Sequence, residues 1–116
     1  MAGYVGSAIE FYDFVIYGTA AAAAAVAKAM ALPEDRIAAA LAYGVHFAGG
    51  ILQSFADGTD EWRYQVGQAG VNGLMAAELA RQGAVAAPHA FEGSAGFIRA
   101  YARVAPDAEG LAARLG

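Results

Sequence analysis

A run of alanines between Thr19 and Met30 is the feature that most restricts how this chain can fold. Alanine has the highest helix propensity but buries little apolar area, so the run favours a helix with a thin core behind it. Small residues recur at helical spacing further along the chain, at Ala40, Gly44 and Ala48 and again at Gly70, Gly73 and Ala77. Such stripes let helix backbones approach closely and therefore predict tightly packed helices.

Residues that typically begin or end a helix predict the bounds of the longer helices. Pro33 and the two acids after it are typical of a helix start, and they predict a second helix over Glu34–Phe55. The cluster Asp57–Asp60 predicts a polar turn. A third helix is predicted over Gln68–Gln82 and is stopped by Gly83.

The remaining signals are shorter. Pro88–Glu92 favours a short turn of helix, Ser94 is expected to cap a helix that reaches Arg103, and a last helix is predicted over Pro106–Leu115. No segment shows sustained alternation of β-branched residues, so we expect no strand. The predicted fold class is all-α: an antiparallel helical fragment in which the second and third helices form a close-packed alanine and glycine pair, with no sheet.

Composition indicates a chain that needs neighbours. Hydrophobic residues make up 59% of it and charged residues 16%, compared with about 25% charged in soluble domains. We expect the neighbours to be more polypeptide or a second subunit, and self-association to use the small-residue helix faces. The net charge of −4 argues against a nucleic-acid face, because phosphate binding needs clustered Lys and Arg. The lack of cysteine excludes disulfides and thiolate metal sites and fits a cytoplasmic protein.

Two uncharged windows have to be tested against membrane insertion. Phe14–Ala27 is followed by Lys28, whereas Ile37–Ala56 is uncharged over 20 residues, about the length that spans a bilayer. The second window is rich in alanine and glycine, which contribute little to insertion. We therefore expect a buried helix of a soluble protein rather than a membrane span.

Four titratable residues outside the main loop are expected to be structural. His46 lies on an apolar segment and is expected to be a hydrogen-bonded core histidine, while His89 is expected to be exposed in a turn. Two isolated histidines predict no metal site. Glu10 and Asp13, one helical turn apart, are expected to form a solvated edge; the alternative is a shared proton or cation.

The stretch Asp57–Gly67 carries the candidate substrate-binding residues. It is predicted to be a polar loop between two apolar helices, and its end before a helix start favours anionic ligands. Arg63 can grip a carboxylate bidentately, and Asp57 and Gln65 lie on the same loop. The alternative is a surface loop anchored by Trp62. No catalytic residue is assigned, because the chain has no serine–histidine–acid set, phosphate loop or zinc motif.

At this loop the sequence resembles the MmgE/PrpD family, which includes 2-methylcitrate dehydratase and cis-aconitate decarboxylase. The resemblance covers about residues 20–104 and consists of an alanine-rich helix, a glycine-containing helix, "FADGT", a glycine-spaced helix and "FEGSAGFIRAYA". It implies a homodimeric lyase with a large helical domain, a smaller α/β lid, a small polycarboxylate substrate and no metal or organic cofactor.

One part of the family pattern is changed here. Many members carry Lys-x-x-His-x-Gly in this loop, and the lysine takes part in the active site. The corresponding positions in this chain run from Trp62 to Gly67, so both the lysine and the histidine are replaced. Arg63 and Gln65 are at most substitutes for them.

Residues 3–23 resemble a different class of protein. "GSAIEFYDFVIYGTAAA" is similar to the start of the first membrane helix in metabolite:proton symporters of the major facilitator superfamily. We therefore divide the chain into residues 1–23, of symporter-like character, residues 24–104, an MmgE/PrpD-like helical fragment, and residues 105–116, a frayed helix. The leading hypothesis is part of an MmgE/PrpD-like lyase that is inactive alone. The alternatives are a membrane transport-related stub and a non-catalytic helical interaction module.

Overall fold

The structure is a computed structural model in which residues 17–102 are described. Three predictions lie wholly or mostly outside this range. They concern the carboxylate pair Glu10 and Asp13, the symporter-like motif, and the helix Pro106–Leu115.

Residues 17–102 contain five helices and no strand, which confirms the all-α prediction. The alanine run forms α1, which is helical over residues 17–29. The others are α2 Glu34–Phe47, α3 Gln53–Asp57, α4 Glu61–Arg81 and α5 Phe97–Ala102.

The predicted helix pair is present as α2 and α4, which pack against each other in antiparallel directions. The Phe47 carbonyl at the end of α2 accepts a hydrogen bond from Asn72 Nδ2 at 3.0 Å. Ala40, two turns earlier in α2, shares a core cluster with Ala76 and Ala80. Contacts thus move backward along α4 as they move forward along α2.

Helix α1 packs across both members of this pair at their glycines. A Cβ on Gly44 of α2 would lie 3.1 Å from the Ala20 Cα and 3.2 Å from the Ala23 Cβ. A Cβ on Gly73 of α4 would lie 2.8 Å from the Ala23 nitrogen. The close backbone contact predicted from small residues is therefore a three-helix contact. Gly70 takes no part in it, because it is exposed and has nothing within 4 Å of its Cβ position.

This packing corrects the expected route of self-association. The small-residue faces of α2 and α4 are covered by α1 within the same chain, and the cluster that they form is almost wholly alanine. Its fully buried members are Ala23, Ala27, Ala40, Ala76, Ala77 and Ala80. Gly44 and Gly73 are therefore not available to a second subunit.

The predicted helix over Glu34–Phe55 is wrong at its C-terminal end. Helix α2 stops at Phe47, Ala48 is already extended, and Gly50 has a φ of 144°. That φ is accessible essentially only to glycine, so the chain turns at Gly50 and resumes as the short helix α3.

Within residues 17–102, no helix has both the length and the hydropathy that crossing a bilayer requires.

The predicted start of the third helix at Gln68 is also wrong. Helix α4 begins at Glu61, so it includes most of the stretch that was expected to be a loop. Its predicted end is confirmed: Gly83 has a φ of 86°, and its N–H donates to the Ala80 carbonyl at 3.0 Å.

The segment after α4 returns to α2 through turns and anchors α5. Phe97 is buried in the second core cluster with Val45 of α2 and Ala20 of α1. The Tyr101 hydroxyl donates to the Ala48 carbonyl at 3.0 Å. Ser94 lies three residues before α5 begins, so the expectation that it caps this helix is wrong.

Candidate functional site

The predicted substrate-binding residues lie at the corner where α3 passes into α4, which we call the α3–α4 corner. Asp57 ends α3, Gly58 follows in the left-handed conformation, and Asp60 precedes the first turn of α4. Trp62 fixes the corner by packing its ring on Phe55, with the ring centroids 6.0 Å apart.

Arg63 is the only basic side chain on this corner, and it faces solvent. Its Nη1 lies 3.5 Å from Asp60 Oδ1, and the two side chains are 65% and 72% exposed. Its guanidinium carbon lies 5.3 Å from the centroid of the Trp62 ring. A pair this exposed is held weakly, so an incoming carboxylate can compete with Asp60 for the guanidinium.

Gln65 faces the interior of the corner. Its Nε2 donates to the Ile51 carbonyl at 3.2 Å, while its Oε1 is buried with no hydrogen-bond partner. Ser54 of α3 is 6% exposed, and its Oγ is likewise buried and unpartnered. Buried polar atoms are normally hydrogen-bonded, so these two oxygens are exceptions at the corner among residues 17–102.

Asp57 and Glu61 add negative charge to the corner. The Asp57 carboxylate accepts a hydrogen bond from Gln53 Nε2 at 3.0 Å, within α3. A hydrogen bond from the Thr59 side chain, followed by one from the Glu61 backbone, lowers the pKa of Glu61. With Asp60, three exposed carboxylates stand beside one guanidinium. This excess of negative charge opposes the binding of a polycarboxylate to the corner alone.

Arg63 and Gln65 lie on different sides of α4. Two residues apart on an α-helix corresponds to a rotation of about 200°, and the exposure of Arg63 and the half-burial of Gln65 agree with it. The predicted helix start at Gln68 lies seven residues too late, so both residues were predicted on one loop and their separation was not. The corner thus offers an outward guanidinium and an inward amide.

His46 departs from its sequence prediction. The ring is hydrogen-bonded, since Nδ1–H donates to the Ala42 carbonyl at 2.7 Å, but the residue is exposed and not in the core. It is near the C-terminus of α2, on the outer face of the helix. His89 is exposed as predicted, and its Nδ1 lies 2.7 Å from Glu92 Oε1. This hydrogen bond and one from the Glu92 backbone lower the pKa of Glu92.

Both histidines line one cavity of about 460 Å³, which we call the two-histidine cavity. Its other polar side chain is Ser94, and the rest of its lining is alanine, glycine and proline. This cavity could not be predicted from the sequence, because His46 and His89 are 43 residues apart and no local spacing connects them. Among residues 17–102, no group of three or more His, Cys, Asp or Glu side chains is arranged to hold a metal ion.

A larger groove of about 530 Å³ lies between α2 and residues 84–91. Alanines, Leu41, Val85 and Phe91 give it an apolar lining, and the ion pair Asp35–Arg36 stands at its edge with 3.5 Å between Oδ2 and Nε. None of the predicted site residues lines the groove or the two-histidine cavity.

The fold and these sites show which class of domain the chain forms. The described chain is an all-α domain with an alanine core, whose polar corner has unsatisfied buried oxygens and whose candidate binding residues stand at the surface. The family model of the MmgE/PrpD N-terminal domain matches residues 2–108. The chain therefore belongs to the MmgE/PrpD family. The match includes the segment that resembles symporters. No curated protein and no solved structure matches the chain.

Proposed function

We propose that this chain is the helical part of a cytoplasmic lyase that removes water or carbon dioxide from a small polycarboxylate, and that it is inactive alone. The match to the MmgE/PrpD N-terminal domain over residues 2–108 carries this proposal. The replacement of the family's lysine and histidine by residues of the segment Trp62–Gly67 supports the lack of independent activity. Neither a metal nor an organic cofactor enters the proposed chemistry.

In this proposal the α3–α4 corner has a binding role. Arg63 holds a substrate carboxylate, since a guanidinium matches a carboxylate with two parallel hydrogen bonds. Gln65 and Asp57 hold the corner in shape through the Ile51 carbonyl and through Gln53. The base that abstracts the proton comes from further polypeptide or from a second subunit.

The test separates binding from turnover. The purified chain is incubated with 2-methylcitrate or cis-aconitate; binding is followed by NMR and reaction by product analysis. We expect weak binding without turnover, and we expect Arg63→Gln to weaken binding about tenfold, the loss of one charge-assisted contact. Arg99→Gln, an exposed arginine on α5, is the matched control and should have no effect. Turnover by the chain alone overturns the inactivity, and unchanged binding in Arg63→Gln overturns the role of Arg63.

A second candidate function, a helical interaction module that forms a homo-oligomer, is favoured by the outer face of α4. Four large apolar side chains are exposed there at helical spacing and together form what we call the α4 outer face. They are Tyr64 at 77%, Val71 at 53%, Leu74 at 53% and Met75 at 49% exposed. A monomer gains nothing from exposing this many apolar side chains on one helix, and a second copy of α4 would cover them.

This candidate is tested by the mass of the chain in solution. We expect size-exclusion chromatography with light scattering to give a dimer, and Leu74→Gln to shift it towards monomer. Val85→Gln is the control, because Val85 is 91% exposed but lies outside α4. A monomeric wild-type chain overturns the proposal, and so does a dimer that both variants leave intact.

A further inference from the structure

The two-histidine cavity combines features that neither the family match nor the α3–α4 corner uses. His46 reaches it from the end of α2, and His89 and Ser94 reach it from the turns before α5. The small residues of its wall leave these three polar side chains as the groups that a ligand would meet.

Each imidazole is held by its Nδ1. The Ala42 carbonyl can only accept, so His46 carries a hydrogen on Nδ1, and His89 donates in the same way to Glu92. No other protein partner is recorded for either ring within residues 17–102. Nε2 is therefore the nitrogen that each ring can offer to a ligand, and it becomes a donor when the ring is protonated.

With both rings protonated, the Glu92 carboxylate offsets the charge of His89, and the charge of His46 leaves the three groups with a net positive charge that favours an anion. Glu92 is hydrogen-bonded to Nδ1 of His89 and does not line the cavity. Arg99, the charged side chain of α5 within the described range, does not line it either. A metal ion would need more ligands on one centre, and residues 17–102 offer no such group.

We propose that the two-histidine cavity binds a compact oxyanion, either a carboxylate or a tetrahedral group of the phosphate type, through the Nε2–H groups of His46 and His89. The Ser94 hydroxyl is the third donor that the cavity can supply. Since each Nδ1 already carries a hydrogen, a ring that also donates from Nε2 is protonated, so binding takes up protons and strengthens as the pH falls.

The proposal is tested by titrating the full chain with sulfate while the carbon-bound ring protons of both histidines are followed by NMR. Sulfate remains fully ionised over this range, so the pH dependence reports the protein. We expect saturable shifts of both rings at acidic pH and an affinity that falls at least about tenfold between pH 5 and pH 8, equivalent to one or two linked protons. Succinate is titrated in parallel: tighter succinate binding assigns carboxylates as the source of the oxyanion, and tighter sulfate binding assigns phosphate-type groups.

Variants decide whether the cavity itself is responsible. We expect His46→Gln and His89→Gln each to weaken binding at least about fivefold, because each removes one charge-assisted donor. Lys28→Gln removes an exposed positive charge from α1 and should change nothing. The proposal is overturned if the histidine variants bind normally, if Lys28→Gln weakens binding equally, or if Zn²⁺ shifts both rings while neither oxyanion does.

Discussion

At the scale of single residues, Gly73 is the position where α4 comes close to the backbone of α1. A methyl group on Gly73 would lie 2.8 Å from the Ala23 nitrogen, a separation that real Cβ atoms essentially never show. The obstacle is backbone, which cannot rotate away, so the helices would have to move apart. We expect Gly73→Ala to lower the free energy of unfolding by about 2–3 kcal/mol, measured by urea denaturation.

Gly70→Ala provides the matched control for this prediction. Gly70 lies in the same helix, three residues earlier, and has nothing within 4 Å of its Cβ position. Replacing an exposed helical glycine by alanine should raise the free energy of unfolding by up to about 1 kcal/mol. Opposite signs for the two variants are expected; two changes of the same sign would contradict the packing of α1 across α4.

Predictions for single residues were confirmed where the spacing of small residues along the sequence itself determines which helix face they occupy. The small residues Ala40, Gly44 and Gly73 were predicted to lie at helix contacts, and each is buried in one. The prediction that His46 lies in the core was wrong, because an apolar neighbourhood in the sequence does not determine which side of α2 a residue occupies. The unsatisfied oxygens of Ser54 and Gln65 have no sequence signal at all, since they depend on how α3 meets α4.

At the scale of elements, the break between α2 and α3 depends on the backbone of Gly50. Its φ of 144° lies in a region that a residue with a Cβ rarely adopts. Gly50→Ala should therefore lower the free energy of unfolding by about 1–3 kcal/mol. Gly49→Ala is the control, since Gly49 has no such φ and nothing within 4 Å of its Cβ position. The measurement is again urea denaturation, and equal stabilities for the two variants would be inconsistent with this turn.

The same turn shows why helix boundaries were only partly predictable. Gly83 ends α4 as expected, because a charged helical segment leads into a single glycine. The pair Gly49–Gly50 stands within a long apolar stretch, and continuity of hydropathy outweighed the glycines in the sequence prediction. The predicted start of α4 is too late for the opposite reason: the polar residues from Glu61 to Gln65 predict a loop, although they form the first turns of the helix.

The last turn of α4 carries an ion pair whose contribution depends on pH. Hydrogen bonds from Arg81 and then Gln82 lower the pKa of Glu78 from its ordinary value of 4.5 to about 2. A lowered pKa means that the charged form stabilises the fold above pH 4.5 and that this contribution is lost as the pH falls towards 2. We expect Glu78→Gln to lose less stability than the wild type over that interval.

The comparison requires thermal unfolding of both proteins at several acidic pH values. Because the pair is exposed to solvent, the expected difference is small, and it should shrink further at high salt. Arg81→Gln should remove the same pH dependence, since it takes away the main hydrogen-bond donor to Glu78. Identical acid profiles for the wild type and both variants would show that the pair does not form in solution.

At the scale of the whole molecule, two core clusters share helices α1 and α2. The alanine cluster joins α1 and α2 to α4, and the other joins them to α5 through Phe97. Alanine buries little area per residue, so the first cluster gains stability from close approach rather than from bulk. Phe97 is the largest buried side chain of the second cluster and contacts the rings of Phe91 and Tyr101. We therefore expect the two clusters to unfold as one cooperative unit.

Phe97→Ala tests this cooperativity. Truncating a buried phenylalanine should lower the free energy of unfolding by about 3 kcal/mol or more, because alanine neighbours cannot fill the space that is left. If the clusters are coupled, amide hydrogen exchange should accelerate in α4 as well as in α5, although Phe97 belongs to the cluster that does not include α4. Val85→Ala, at a side chain 91% exposed in the connecting segment, should leave exchange unchanged. Faster exchange confined to α5 would instead show that residues after α4 form a separate, weaker unit.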